Sequence, residues 1–217
     1  MDRIYCRRRT DALGRAAIMT LTALHRLLGL SLIVFIIAHF ANHAALFWGV
    51  EQHLAVQNAL RKIYRNQFVE PVIIAGFAIQ LGLGMRLLLK RGWPRSFWSR
   101  LQWVSGLILT LFLVQHVGAA LYTRAIWSSI DTNVYWAASV VSQTHSALYF
   151  VPYYVLGVAA VFAHIAAVLA LKKRRKGLAY TLCIFGLVFS ISLVMSLAGA
   201  FFEISLPAPY LSYLNGT

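Results

Sequence analysis

Acidic residues are nearly missing from this 217-residue chain: Asp and Glu together number six, against twenty Lys and Arg. That scarcity excludes the paired carboxylates of hard-metal sites and of general acid–base catalysis, and no activated nucleophile or flavin-binding motif takes their place. The chain is therefore not expected to be an enzyme by itself. Cysteine is equally sparse. Cys6 lies in a basic N-terminal segment and Cys183 in the last apolar run, so they make no disulfide framework and do not indicate a redox compartment. No internal repeat, linker or second domain interrupts the sequence. The apolar run behind the first basic block is too long for a signal-peptide core and lacks a small-residue cleavage site.

What is present in excess is apolar: 60% of the residues are hydrophobic and only 12% charged, which excludes an ordinary soluble domain. Five stretches, 24–47, 68–89, 101–122, 148–171 and 178–202, reach the roughly 20 residues needed to cross a hydrocarbon core about 30 Å thick. The expected fold is an all-α, five-helix integral membrane bundle forming one domain. In a soluble chain the net charge of +14 would suggest nucleic acid. Here fourteen of the twenty basic residues fall in three blocks on one side, before the first span and between spans two and three and spans four and five. The opposite side has Arg61, Lys62, Arg65 and Arg124, so the charge encodes topology. The positive-inside rule puts the N-terminus in the cytoplasm and the C-terminus outside, as in a multi-pass protein of the cell's inner membrane. No nucleic-acid partner is expected. Trp93, Trp98 and Trp103 fit an inner aromatic belt, and Trp48, Trp127 and Trp136 an outer one.

The two outer connections carry helical patterns. In 50–66, Val56, Leu60, Ile63 and Tyr64 share one face, as in an amphipathic helix lying in the interface. In 131–144, Asp131 or Thr132 is placed to start a second short helix. Pro71 and Pro152 are expected in the first turns of their spans, where proline is tolerated.

Four of the seven histidines, His39, His43, His116 and His164, lie within or at the outer ends of spans, where an ionisable group needs a partner or a function. Interhelical hydrogen bonding is one reading. Depth supplies another. His39 and His116 each stand fifteen residues into spans that enter from the inner side, about 22 Å deep at 1.5 Å per residue. Two imidazoles facing one another at equal depth are the arrangement haem iron takes as its axial ligands. Gln102, Ser105, Leu109 and Phe112 share the His116 face. His164 lies eight residues from the inner end of the fourth span, and a haem there needs a partner on the second, near Gln80. No histidine stands there. Gly76, Gln80 and Gly84 form a stripe at four-residue spacing, read as a packing seam rather than an emptied ligand site. His39 and His43 have the HxxxH spacing of zinc and di-iron sites, but the carboxylates that would complete one are absent.

These residues resemble the membrane-anchor cytochrome b subunits of succinate dehydrogenases and fumarate reductases, of the five-helix, two-haem type. The match is most specific at Leu101-Gln102-Trp103-Val104-Ser105-Gly106 followed by His116. It continues at Leu24-His25-Arg26-Leu27-Leu28-Gly29 followed by His39, and at the stretch from Tyr154 to His164. The resemblance implies that His39 and His116 hold an outer haem b. The step from His25 to His39 is one residue short, which leaves His43 as an alternative ligand. In the family, ligands on the second and fourth helices hold an inner haem. Here Gln80 or Leu81 occupies the second-helix position, so the inner haem is either lost or bound through His164 alone.

The resemblance further implies electron transfer between cytoplasmic flavoprotein and iron–sulfur subunits and a membrane quinone. His25 and Arg26 are the residues expected to contact quinone or haem propionates, although Arg26 equally suits snorkelling to inner headgroups. Glu70 matches a family carboxylate that exchanges protons with a quinol, or serves as a helix N-terminal acid. The competing function class is a haem-free or standalone membrane scaffold or interaction protein. Transport is disfavoured, since broken helices and paired intramembrane acids are missing.

Overall fold

The computed structural model describes residues 2–127 and 129–215, with the side chains of 2–17, Lys173 and 212–215 outside the described set. Cys6 and the N-terminal arginines therefore lie outside the residues whose side chains are described. Every regular element in the described residues is helical: α1 (Asp2–Ala44), a 3-10 turn (Ala45–Trp48), α2 (Val50–Tyr64), α3 (Val69–Arg91), α4 (Phe97–Ile126), α5 (Val134–Ser142), α6 (Thr144–Lys173), α7 (Lys176–Leu197) and α8 (Ala208–Asn215). Five of these are long and apolar enough to cross a bilayer, over Ile18–Trp48, Val69–Arg91, Phe97–Ile126, Thr144–Lys172 and Lys176–Leu197.

The boundaries differ from the hydropathy reading for local reasons. α1 continues as helix N-terminal of residue 24, and within it the Thr22 hydroxyl donates back to the Ile18 carbonyl at 2.8 Å. α4 starts at Phe97, where Ser96 caps the helix by accepting from the Ser99 amide at 3.3 Å. α6 starts four residues early, at Thr144. Pro152 therefore sits inside the helix and not in its first turn, forfeiting one backbone hydrogen bond. α7 ends at Leu197, short of 202. Gly199 adopts φ +79°, its amide donates to Ser196, and the Ala200 amide donates to Met195, which closes the helix in a Schellman motif.

α2, α5 and α8 gather at one end of the bundle, called here the capped end; the opposite, basic end carries the turns rich in Lys and Arg. Gly49, at φ +115°, makes the sharp turn that folds α2 back over the bundle. α5 begins at Val134, capped by Asn133, which accepts from the Tyr135 amide at 2.9 Å; Asp131 and Thr132 lie outside the helix they were expected to start. Its buried Val134, Val140 and Val141 join Leu46, Tyr154, Val194 and Leu197 in an apolar cluster under the cap. Each buried valine there adds about 1.5–3 kcal/mol.

Packing divides the spans into two groups. α1 runs along α3, and α6 runs along both α4 and α7. Small residues let the second group close up: Ala166, Ala167, Ala170 and Ala179 are buried together, Gly186 lies against Phe162, and Gly157 lies against Phe112. α3 touches α4, but α1 has no extended backbone packing with α4 or α6 in the described residues. Large rings span that space instead, including a stacked Phe40–Phe162 pair with centroids 5.5 Å apart. On α1 itself, Leu24, Leu27, Leu30, Val34 and Ile37 are exposed, as on a lipid-facing stripe, while Leu32 and Asn42 are buried on the other face.

Candidate functional site: two histidine pairs in the gap

Six of the seven histidines lie in two groups, and each group has a member that reaches across from α1. At the capped end, His39 of α1 faces His116 of α4 with ring centroids 6.0 Å apart and planes at 74°. His43, one turn along α1, places its Nε2 3.2 Å from that of His39. His53 of α2 lies 5.6 Å from His43, and its Nε2 is 3.4 Å from Nδ2 of Asn42. Phe35 stacks on His39 and Phe112 on His116, so both rings are held by aromatic neighbours.

A cavity of about 230 Å³ opens beside these rings. Its roof consists of polar side chains from α2 and the connections. Arg61 donates to Asp131 at 2.7 Å and to the Thr132 carbonyl at 2.9 Å, Arg65 donates to the Thr132 hydroxyl at 2.7 Å, and Arg124 grips both carboxylate oxygens of Glu70. Tyr210 of α8 donates to the Asp131 carbonyl at 3.0 Å and ties down the same loop. Burial beneath this roof, together with the nearby Arg61 guanidinium, pushes the His53 imidazole down to about 4. Burial works the other way on Asp131, but the hydrogen bond and charge of Arg61 hold its carboxyl below the usual value.

At the basic end, His25 of α1 faces His164 of α6 with centroids 6.5 Å apart and planes at 74°. Two glycines flank the rings. A Cβ on Gly84 of α3 would lie 3.2 Å from Cε1 of His25, and one on Gly106 of α4 would lie 3.4 Å from Cε1 of His164. Gln80 reaches His25 at 3.4 Å, and Ser105 reaches Nδ1 of His164 at 3.2 Å. An open groove of about 400 Å³ lies below, lined by Ile18, Met19, Thr22 and Ala23 together with Arg26, Arg91 and Lys172.

The sequence-predicted residues thus separate cleanly. His39 and His116 come together as expected, with His43 beside them. His164 is paired too, though with α1 rather than the second span. Arg26 is exposed at the groove, and Glu70 is engaged by Arg124. The Gly76–Gln80–Gly84 stripe is a seam against α1, with Gly76 on Leu32 and Gln80 and Gly84 on His25. Sequence reasoning missed His53. Its signal is a polar stripe, His53, Gln57 and Arg61 at four-residue spacing, turned into the bundle while Ile63 is 65% exposed. α2 therefore turns His53, Gln57 and Arg61 into the cavity together with Tyr64 of its apolar face, which packs on Phe35, and leaves Ile63 outside.

Comparison with family models, curated proteins and solved structures finds no match. Among the described residues, no group of three or more His, Cys, Asp or Glu side chains could hold a metal ion. Axial ligation of a haem asks for less, namely two imidazoles on opposite sides of a flat group. With metal–nitrogen bonds of about 2 Å and ring nitrogens roughly 1 Å from the ring centre, the two centroids stand about 6 Å apart. Both pairs meet that separation across a gap that helix backbones do not fill. The capped-end cavity is smaller than the roughly 300 Å³ at which ligand pockets commonly begin. Part of its space is taken by the His39–His43 contact, which would have to open. The buried nitrogens His25 Nδ1, His43 Nδ1 and His53 Nδ1, and the oxygens Asn42 Oδ1 and Gln57 Oε1, have no hydrogen-bond partner, as expected of groups arranged around something else.

Proposed function

We propose that the protein is a membrane cytochrome b subunit that carries electrons through a haem b held by His39 and His116 and exchanges them with the quinone pool. The supporting observation is the 6.0 Å separation of these two imidazoles on helices that otherwise stand apart. A haem b bound there supplies a one-electron carrier. The chain's own residues do the rest. His39 and His116 present neutral imidazoles, Phe35 and Phe112 fix their ring planes, and α2 and α5 exclude water from above. Arg61, Arg65 and Arg124 line the roof, where the carboxylates of a macrocycle would meet them. Glu70 can accept a proton from a quinol only when its pairing with Arg124 opens, so proton exchange at that mouth is coupled to movement of Arg124.

In this reading the basic end faces the cytoplasm and its blocks of Lys and Arg offer a docking surface to flavoprotein and iron–sulfur subunits. The protein is not catalytic alone. The test is the visible spectrum of purified protein. A low-spin b-type absorbance that falls in His116→Ala is expected; a colourless wild type would leave the haem-free scaffold as the surviving interpretation.

A further inference from the structure

We propose that His25 and His164 are the axial ligands of a second haem b at the basic end, so that α1 alone supplies one ligand to each of two haems. Three independent features of the fold lead there. The first is geometric. His164 lies eight residues from Lys172, roughly 12 Å from the turn at the basic end, and His25 of α1 faces it. Their rings face across the same gap between α1 and α6 that the capped-end pair spans between α1 and α4, at 6.5 Å. The walls beside them are glycines: a Cβ on Gly84 would press on the His25 ring at 3.2 Å, and Gly106 leaves room for ordinary contact with His164 at 3.4 Å.

The second feature is the state of the nitrogens. Ser105 has one hydroxyl proton, and its closest acceptor is the Leu101 carbonyl at 2.6 Å. Toward His164 Nδ1, 3.2 Å away, the serine oxygen is thus an acceptor. His164 carries its proton on Nδ1, and the lone pair is left on Nε2, the form in which an imidazole binds a metal. On His25, Nδ1 is buried and without a partner, and so is Oε1 of Gln80. With the Gln80 amide turned over, Oε1 accepts the proton of His25 Nε2, and the lone pair falls on the unpartnered Nδ1. Gln80, at the position where the second span lacks a histidine, then orients the ligand instead of being one.

The third feature is charge. The groove beneath the pair is lined by Arg26, Arg91 and Lys172, with no acid among the described lining residues. Among the described residues none of the three has a carboxylate partner, and Arg91 donates only to the Thr22 hydroxyl, at 2.9 Å. This is a receptor for the two carboxylates of a macrocycle whose edge points to that surface. The fourteen-residue step from His25 to His39 sets the two sites about 21 Å apart along α1.

The proposal rests on reading the bundle as a haem protein but on a separate pair of ligands, so each can fail alone. The experiment is the haem-to-protein ratio and potentiometric titration of the purified full chain in detergent. Two haems per chain are expected. His25→Ala, His164→Ala and the double variant should each retain one haem, and His116→Ala should retain the other. His25→Met should keep two, with one midpoint potential raised, since methionine remains a haem ligand. The retained capped-end haem reports that the alanine variants fold. A single haem indifferent to His25→Ala overturns the proposal. So does a second haem indifferent to both His25 and His164, or loss of both haems in His25→Ala and His25→Met alike. No haem at all overturns both readings, and a count of two haems that survives loss of both His39 and His116 defeats the capped-end reading alone.

Discussion

The two ends of the bundle solve the same problem with different amounts of material. At the capped end four imidazoles crowd together under a lid whose arginines are largely committed to Asp131, Thr132 and Glu70. At the basic end there are two imidazoles with no lid among the described residues, and glycines of α3 and α4 lie beside them. The capped end can lose a histidine and still have one nearby. The basic end cannot, and its precision depends on what its neighbours lack. A redundant site should tolerate ligand loss on α1, whereas a sparse one should respond to an added methyl group.

The sharpest break in that comparison comes from the ligands. His116→Ala should remove the capped-end haem entirely, because α4 has no second histidine, while His39→Ala should retain a fraction of it through His43, whose ring is 4.6 Å from that of His39. Haem stoichiometry distinguishes the two, and equal loss in both variants would end the claim of redundancy. Next in size is Gly157→Ala. Its Cβ would fall 2.1 Å from Phe112, which stacks on His116. Overpacking of this kind costs about 1–3 kcal/mol, so a lower melting temperature and a shifted capped-end potential are expected with the basic end unchanged.

Gly84→Ala is the milder counterpart. A contact of 3.2 Å asks the His25 ring to give by a few tenths of an ångström, so the basic-end potential should move while the melting temperature hardly changes. The smallest expected effect concerns pH. His53 has a folded value of about 4 against 6.5 ordinarily, so its share of lid stability is full above 6.5 and is lost as pH falls toward 4. Asp131, held below its ordinary value of 3.8, loses its share only at still lower pH. Hydrogen exchange of α2 between pH 7 and 4 should show the lid loosening, and His53→Phe should flatten that dependence; an unchanged slope would detach His53 from the lid.

Much of the bundle was legible because helical geometry is fixed. Five apolar runs could be counted, and a rise of 1.5 Å per residue placed His39 and His116 at the same depth before any packing was known. His25 was visible in the sequence but not as a ligand, since hydropathy put it at the edge of its span. Its ring is nonetheless covered by Gln80 and Gly84 of α3, a contact that hydropathy along α1 does not register. His53 was hidden for a different reason. Its helix lies outside the spans, and periodicity alone does not tell which face of an amphipathic helix meets an interior when that interior is polar.

By itself, then, the sequence determined the number of apolar helices, the asymmetry of charge and the matched positions of His39 and His116 along theirs, because these follow from composition and a constant helical rise. Only the tertiary structure decided which histidines meet. α1 pairs with α3 through Gly76 and Gly84, and α6 pairs with α4 and α7 through Gly157, Gly186 and a patch of alanines. That arrangement leaves α1 facing α4 and α6 across a space that backbones do not fill. Partner choice in that space depends on the close approach of small residues on other helices, and no spacing within α1 encodes it.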